Sequence, residues 1–136
     1  MDDKPKIIAV DFDGTIVKPE DDPHLLTDFT LQPYAKEVLA WIYEHFFSIL
    51  WTCREDDVLQ NALNFLDRND IKFHAVNENA PFLDFETSDK IYADFYVDDR
   101  AGIGIDWLAI QSYLRKKFLK PINCEKIIRQ VIIEVK

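Results

Sequence analysis

At 136 residues, with a hydrophobic fraction of 48% and an aromatic fraction of 13%, the chain has the material for one packed core and too little length for two ordinary domains. Its 25 acidic side chains against 16 basic ones leave a formal charge of -9, a field that disfavours nonspecific attachment to nucleic acid or an anionic membrane. Cys53 and Cys124 make neither a disulfide framework nor a zinc-ligand pair, no apolar run is long enough to span a bilayer, and the opening Met1-Asp2-Asp3-Lys4-Pro5 lacks the order of a secretion signal, so a cytoplasmic protein is expected.

Residues Lys6 to Val10 read as a strand buried on both faces, the habit of parallel sheets flanked by helices. Directly behind it stands Asp11-Phe12-Asp13-Gly14-Thr15. Strand alternation lets Asp11 and Asp13 point the same way while Phe12 turns inward, Gly14 permits a sharp turn, and Thr15 adds a hydroxyl. Residues Val17 to Leu31 show no clean period and hold the acidic run Pro19-Glu20-Asp21-Asp22-Pro23, which predicts a surface loop. Pro33 suits a first helical turn, and Ala35, Val38, Leu39, Ile42 and Phe46 recur at helical spacing, predicting a helix from Pro33 to His45.

A second strand is expected from Phe47 to Trp51, ending at Thr52. From Glu55 to Arg68 the positions Val58, Leu59, Ala62, Leu63 and Leu66 mark one face of a helix with an acidic start. Ile71, Phe73 and Ala75 then alternate into a weaker third strand that ends at Val76, before loops over Asn77 to Asp89. Lys90 leads into a fourth strand, Asp94 to Val97, and a second carboxylate pair, Asp98-Asp99, follows it. Beyond Arg100, Gly102 and Gly104 mark a bend, and Trp107, Ile110, Leu114 and Phe118 resume helical spacing. The tail from Asn123 to Val135 fits a helix better than a strand, despite its β-branched Val131-Ile132-Ile133.

Strands alternating with helices in this way predict a three-layer, Rossmann-like α/β domain with a mainly parallel sheet. Ligands of such sheets bind beyond the carboxyl ends of the strands. There the chain offers Asp11 and Asp13 after the first strand, Thr52 and Arg54 after the second, Lys90 before the fourth, and Asp98 and Asp99 after it. A nucleophile, a second carboxylate for proton transfer, hydroxyl and ammonium donors and hard oxygen ligands for magnesium together suit phosphoryl transfer. For the first, second and fourth strands to build one site, the sheet order must be 3-2-1-4. Arg54 and Arg100 are expected to pair with neighbouring acids, as the excess of carboxylates demands.

In these residues the chain resembles the haloacid dehalogenase-like superfamily of hydrolases, over roughly Ile7 to Trp107. Val10-Asp11-Phe12-Asp13-Gly14-Thr15 stands for its first motif and Leu50-Trp51-Thr52 for its second. Lys90 stands for the third, and Asp98-Asp99 for the fourth. The resemblance implies that Asp11 attacks phosphorus to form an aspartyl-phosphate, while Asp13 protonates the leaving oxygen and later activates water. It implies magnesium held by Asp11, the Asp13 carbonyl and Asp98, with Asp99 in support, and phosphoryl oxygens held by Thr52 and Lys90. It looks most like the small members without a cap domain, because neither the interval after Gly14 nor the one after Thr52 has room for a lid.

An open site of that kind suits a phosphorylated small molecule or an exposed phosphate on a larger substrate. Loops Lys18 to Thr30 and Asn77 to Asp89 are its candidate walls, with Phe29, Phe82 and Phe85 read either as ring contacts or, more ordinarily, as cover for the core edge. His45 and His74 are read as structural, and Pro23-His24 is a loose, displaced match to a histidine and proline carried by small relatives. The aromatic loops and apolar tail are also candidate homodimer surface. Two alternatives stand beside the phosphatase: a non-catalytic phosphate or nucleotide binding module on the same fold, and a receiver domain, whose acceptor aspartate would follow the third strand.

Overall fold

The computed structural model describes residues 4–19, 28–86, 90–98 and 104–119. The expectations for His24, Asp99, Arg100, Cys124 and the tail fall outside these residues. Seven elements follow one another: β1 (Ile7–Val10), α1 (Ala35–His45), β2 (Phe47–Leu50), α2 (Asp56–Arg68), β3 (Ala75–Val76), β4 (Phe95–Val97) and α3 (Trp107–Phe118). The strands form one sheet of order β3-β2-β1-β4 in which every pairing is parallel, the expected arrangement. No separate cap domain interrupts it among the described residues.

The short apolar run Ile7–Val10 forms the central strand because both its faces are covered. Ile8 and Val10 pack on one face with Leu50, Val97 and the buried stripes of all three helices. Ile7 and Ala9 pack on the other with Ile49, covered among the described residues by Ala80, Phe82, Leu83, Ile91, Tyr92 and Ala93. Burying an Ile, Leu or Val side chain contributes about 1.5–3 kcal/mol, so this double coverage of β1 anchors the domain. Beside it Phe12, Phe29 and Phe65 meet edge to face, with Phe29 5.1 Å from Phe12 and 5.3 Å from Phe65. Phe12 turns inward, as alternation requires, and Phe29 belongs to the core rather than to a substrate wall.

Several boundaries shift by one residue, and the first helix and third strand depart further from expectation. The first helix begins at Ala35 because Tyr34 takes a left-handed φ of 64° and the Ala35 N–H returns to the Gln32 carbonyl, leaving Pro33 in a turn. The third strand is only two residues long. Before it only half of the ladder persists, since the His74 N–H donates to the Ser48 carbonyl at 2.9 Å but the Ser48 N–H donates to Nδ1 of His74 at 2.9 Å. The α3 start is the one expected, and Asp106 caps it by accepting from the Ala109 N–H at 3.1 Å.

Candidate active site at the carboxyl ends of the strands

Parallel pairing brings the ends of β1, β2 and β4 together at one end of the sheet. Val10 is the register partner of both Leu50 and Val97, and the ladder continues one step further. The Asp11 N–H donates to the Val97 carbonyl at 3.0 Å and the Trp51 N–H to the Val10 carbonyl at 2.8 Å. Asp11 and Asp98 therefore leave adjacent strands side by side, both half-buried, with Trp51 and Thr52 on the other flank.

The loop after Asp11 is tightly wound. The Phe12 carbonyl accepts from the N–H groups of Thr15, Ile16 and Val17 at 3.2, 3.0 and 3.4 Å, and Gly14 supplies the left-handed φ of 75° that the turn needs. Two distant side chains pin it. The indole N–H of Trp107, fully buried on α3, donates to the Thr15 carbonyl at 3.0 Å, and the Gln32 amide donates to the Gly14 carbonyl at 3.2 Å. Thr15 is fully buried, so its hydroxyl faces the interior and not the solvent side of the loop.

Asp13 is held by Arg54. The guanidinium forks onto both carboxylate oxygens, Nε to Oδ2 at 2.8 Å and a terminal nitrogen to Oδ1 at 2.7 Å. Its other terminal nitrogen donates to the Val58 carbonyl at 3.0 Å, and its centre lies 5.1 Å from the Phe12 ring and 5.0 Å from the Phe29 ring. A planar, permanently charged fork suits this place, which asks for bidentate donors and two aromatic faces at once. The Arg54 side chain is 4% exposed while that of Asp13 is 41% exposed, so the cation is buried and the carboxylate still reaches solvent. Pairing with a local acid, expected for Arg54, is what the side chain does.

Thr52 is built into the same corner. Its N–H donates to Oδ1 of Asn77 at 2.9 Å and its hydroxyl oxygen accepts from the Arg54 N–H at 3.1 Å, leaving the hydroxyl hydrogen free to donate elsewhere. Asn77 escapes sequence reasoning, because an Asn after a strand reads as a turn residue. Its φ of 51° and its N–H bond to the Leu50 carbonyl at 2.8 Å turn the amide back toward Thr52. Lys90 is exposed and directly precedes Ile91, whose carbonyl accepts from the Tyr96 hydroxyl at 2.6 Å. Asp99 lies outside the described residues. Among them, no three His, Cys, Asp or Glu side chains gather into a group that could hold a metal.

The remaining candidates stand elsewhere. His45 bonds the Trp41 carbonyl through Nδ1 at 2.9 Å, one turn back on α1. His74 stacks on Tyr43 at 4.0 Å between ring centres, and burial pushes its pKa below the ordinary 6.5. Phe82 meets Phe47 at the start of β2, and Phe82 and Phe85 border a cleft of about 140 Å³ beside Lys6 and Ile7, at the end of the sheet remote from Asp11. There Asp94 accepts from the Ile7 N–H and the Tyr92 hydroxyl, and that hydrogen bond, with the charge behind it, raises the Tyr92 pKa. Neither phenylalanine lines the site, because the loop returns across the other end of the sheet. No helix of the described residues is long and apolar enough to cross a membrane.

No family model and no curated protein matches the chain. Among solved structures it is similar to a conserved protein coded by a locus of Bacteroides thetaiotaomicron, with a TM-score of 0.69 and 34% identity over 84% of this chain and 93% of that one. It also shares its fold with a chain from the Pnkp1/Rnl/Hen1 RNA repair complex, at a TM-score of 0.52 and 18% identity, over 87% of this chain and 41% of that one. The first likeness runs nearly the full length of its counterpart at an identity that chance does not give, and this chain accordingly belongs to the family of the conserved Bacteroides thetaiotaomicron protein.

Proposed function

We propose that the protein is a magnesium-dependent phosphatase of the haloacid dehalogenase-like type, hydrolysing phosphate monoesters through a phosphorylated Asp11. The observation that carries this reading is that Asp11 leaves the end of the central strand two positions before an Asp13 whose carboxylate is oriented by the Arg54 fork. The Asp11 carboxylate attacks phosphorus in line with the leaving oxygen. As that bond breaks, Asp13 delivers a proton to the leaving oxygen, and it then takes one from the water that attacks the phosphorylated Asp11. Arg54 uses one lone pair on each Asp13 oxygen, so the others remain open to carry the proton.

Thr52 donates its hydroxyl hydrogen to a phosphoryl oxygen, and Lys90 offsets the charge of the transferred group from the exposed rim. The donor set fits magnesium. Asp11 and Asp98 are hard carboxylates on adjacent strand ends, the Asp13 carbonyl takes none of the turn bonds that the Phe12 carbonyl accepts, and among the described residues no His or Cys joins them in a metal-holding group. Asp11, the Asp13 carbonyl and Asp98 would hold the ion, with Asp99 in a supporting role. When bound, it neutralises charge on the phosphoryl oxygens. The shared fold with a chain of an RNA repair complex is in keeping with work on phosphate esters.

The engagement of both Asp13 oxygens by Arg54 also favours a second reading, a module that binds a phosphate or nucleotide without turning it over. A panel of nucleotides, sugar phosphates, phosphoamino acids and nucleic-acid termini, assayed for phosphate release with Asp11→Asn as control, separates the two. Release that needs magnesium and Asp11 supports the phosphatase. Saturable binding with no release across the panel supports the binding module.

A further inference from the structure

Trp51 and Tyr96 stand on opposite sides of β1, one after β2 and one in β4, yet their rings meet edge to face with centres 5.4 Å apart. Tyr96 is the register partner of Ala9, and Trp51 follows the register partner of Val10, so the pair straddles β1 at the level of the fully buried Ala9 and the residue after Val10. Alternation along β1 puts Ile7, Ala9 and Asp11 on this same face, and burial agrees, since Ile7 and Ala9 pack with Ile49 whereas Ile8 and Val10 pack toward the helices. The aromatic bridge therefore crosses the central strand immediately before the proposed nucleophile.

The bridge is open and pre-set. Trp51 is 39% exposed and Tyr96 is 44% exposed, while Trp107 is 1% exposed in the same chain. The Tyr96 hydroxyl donates to the Ile91 carbonyl at 2.6 Å and accepts from the Ala93 N–H at 3.1 Å, which fixes the ring against which Trp51 leans. A rigid, solvent-facing indole next to a reacting carboxylate loses little freedom when a ring stacks on it.

Building on the phosphatase reading, we infer that Trp51 is a specificity-determining residue that stacks on the planar base of a nucleoside leaving group, so that the substrate class is the small nucleoside monophosphate. The strand of Trp51 lies beside that of Asp11, one sheet spacing of about 4.8 Å away, so the indole is the neighbour on that flank of a phosphate held at Asp11. The formal charge of -9 favours a single nucleotide over a polyanionic strand. Stacking tolerates any base, so the selection is for a ring against no ring.

The test compares the binding of AMP and of ribose 5-phosphate to the Asp11→Asn protein, which turns over neither, with and without a change at Trp51. AMP binds roughly tenfold more tightly than ribose 5-phosphate, Trp51→Ala abolishes the preference, and Trp51→Phe restores part of it. Equal affinities, a preference that survives Trp51→Ala, or no binding of AMP overturns the inference. Its failure is separable from that of the phosphatase reading. Asp11-dependent hydrolysis without a ring preference removes the stacking role alone, and AMP held through Trp51 with no ester hydrolysed removes the phosphatase alone.

Discussion

Arg54 grips Asp13 through two hydrogen bonds of 2.8 and 2.7 Å, although 41 positions separate them, and the cation is the more buried partner. The contact ties the loop after β2 to the loop after β1 and decides which way the second carboxylate faces. Arg54→Lys keeps the charge but not the fork. It should lower kcat by about tenfold through loss of Asp13 orientation, with KM little changed. Arg54→Ala should cost about 2 kcal/mol of stability, less than for a fully buried pair because Asp13 reaches water. Urea melts beside steady-state kinetics check both.

Asp13→Asn is expected to slow both proton transfers by roughly 100-fold or more while leaving the fold intact. An ester with a good leaving group needs less help in the first step. With such a substrate the variant should show a burst of alcohol release followed by slow turnover, read by rapid-quench kinetics.

Much of this arrangement is legible in the residues themselves. Ile7–Val10 is apolar throughout because both faces are covered, and the helical stripes at Val38, Leu39 and Ile42 or at Ala62 and Leu66 announce their buried faces by spacing alone. The sheet order follows from asking which strands must be neighbours for Asp11, Thr52 and Asp98 to meet. What is not legible depends on contacts that span the chain. The His74 ring draws the Ser48 N–H out of the ladder before β3, Asn77 reaches back to Thr52, and Phe82 packs on Phe47 at the far end of the sheet. None of these leaves a periodic trace.

Trp107 joins α3 to the loop after β1 across 92 positions of sequence, through one indole hydrogen bond to the buried Thr15 carbonyl. Trp107→Phe preserves the apolar packing and leaves that carbonyl without its donor. The expected cost is about 1–3 kcal/mol. Amide exchange should quicken in the turn that holds Thr15, Ile16 and Val17 more than in β1, as mass-detected hydrogen exchange would resolve.

His74 makes stability depend on pH in a defined direction. Its Nδ1 accepts from the Ser48 N–H, so a proton there would set two donors against each other, and burial already holds its pKa below 6.5. Because the unfolded chain takes up the proton near 6.5 and the folded chain resists it, the contribution is complete above that value. It is lost as the pH falls through the lower folded pKa. His74→Asn keeps an acceptor and removes the titration, so its stability should fall less steeply as the pH drops below 6.5, in urea melts run at several pH values.

Asp98→Asn should raise the magnesium concentration needed for half-maximal activity at least several-fold, with little loss of thermal stability, since one of two adjacent carboxylates at the strand ends is neutralised. Titration of magnesium against activity, paired with thermal melts of the metal-free protein, measures both effects. A variant that melts far below the wild type would mean that Asp98 serves the fold rather than the ion.

The central claim is that Asp11 carries the phosphoryl group. Rapid acid quenching during turnover of a radiolabelled phosphate ester, followed by peptide mapping, tests it most directly. The expected result is a labile phosphoryl adduct on Asp11 that builds up further in Asp13→Asn and is absent from Asp11→Asn, which releases no phosphate. An adduct on another residue, or an Asp11→Asn protein that hydrolyses the ester undiminished, would contradict it.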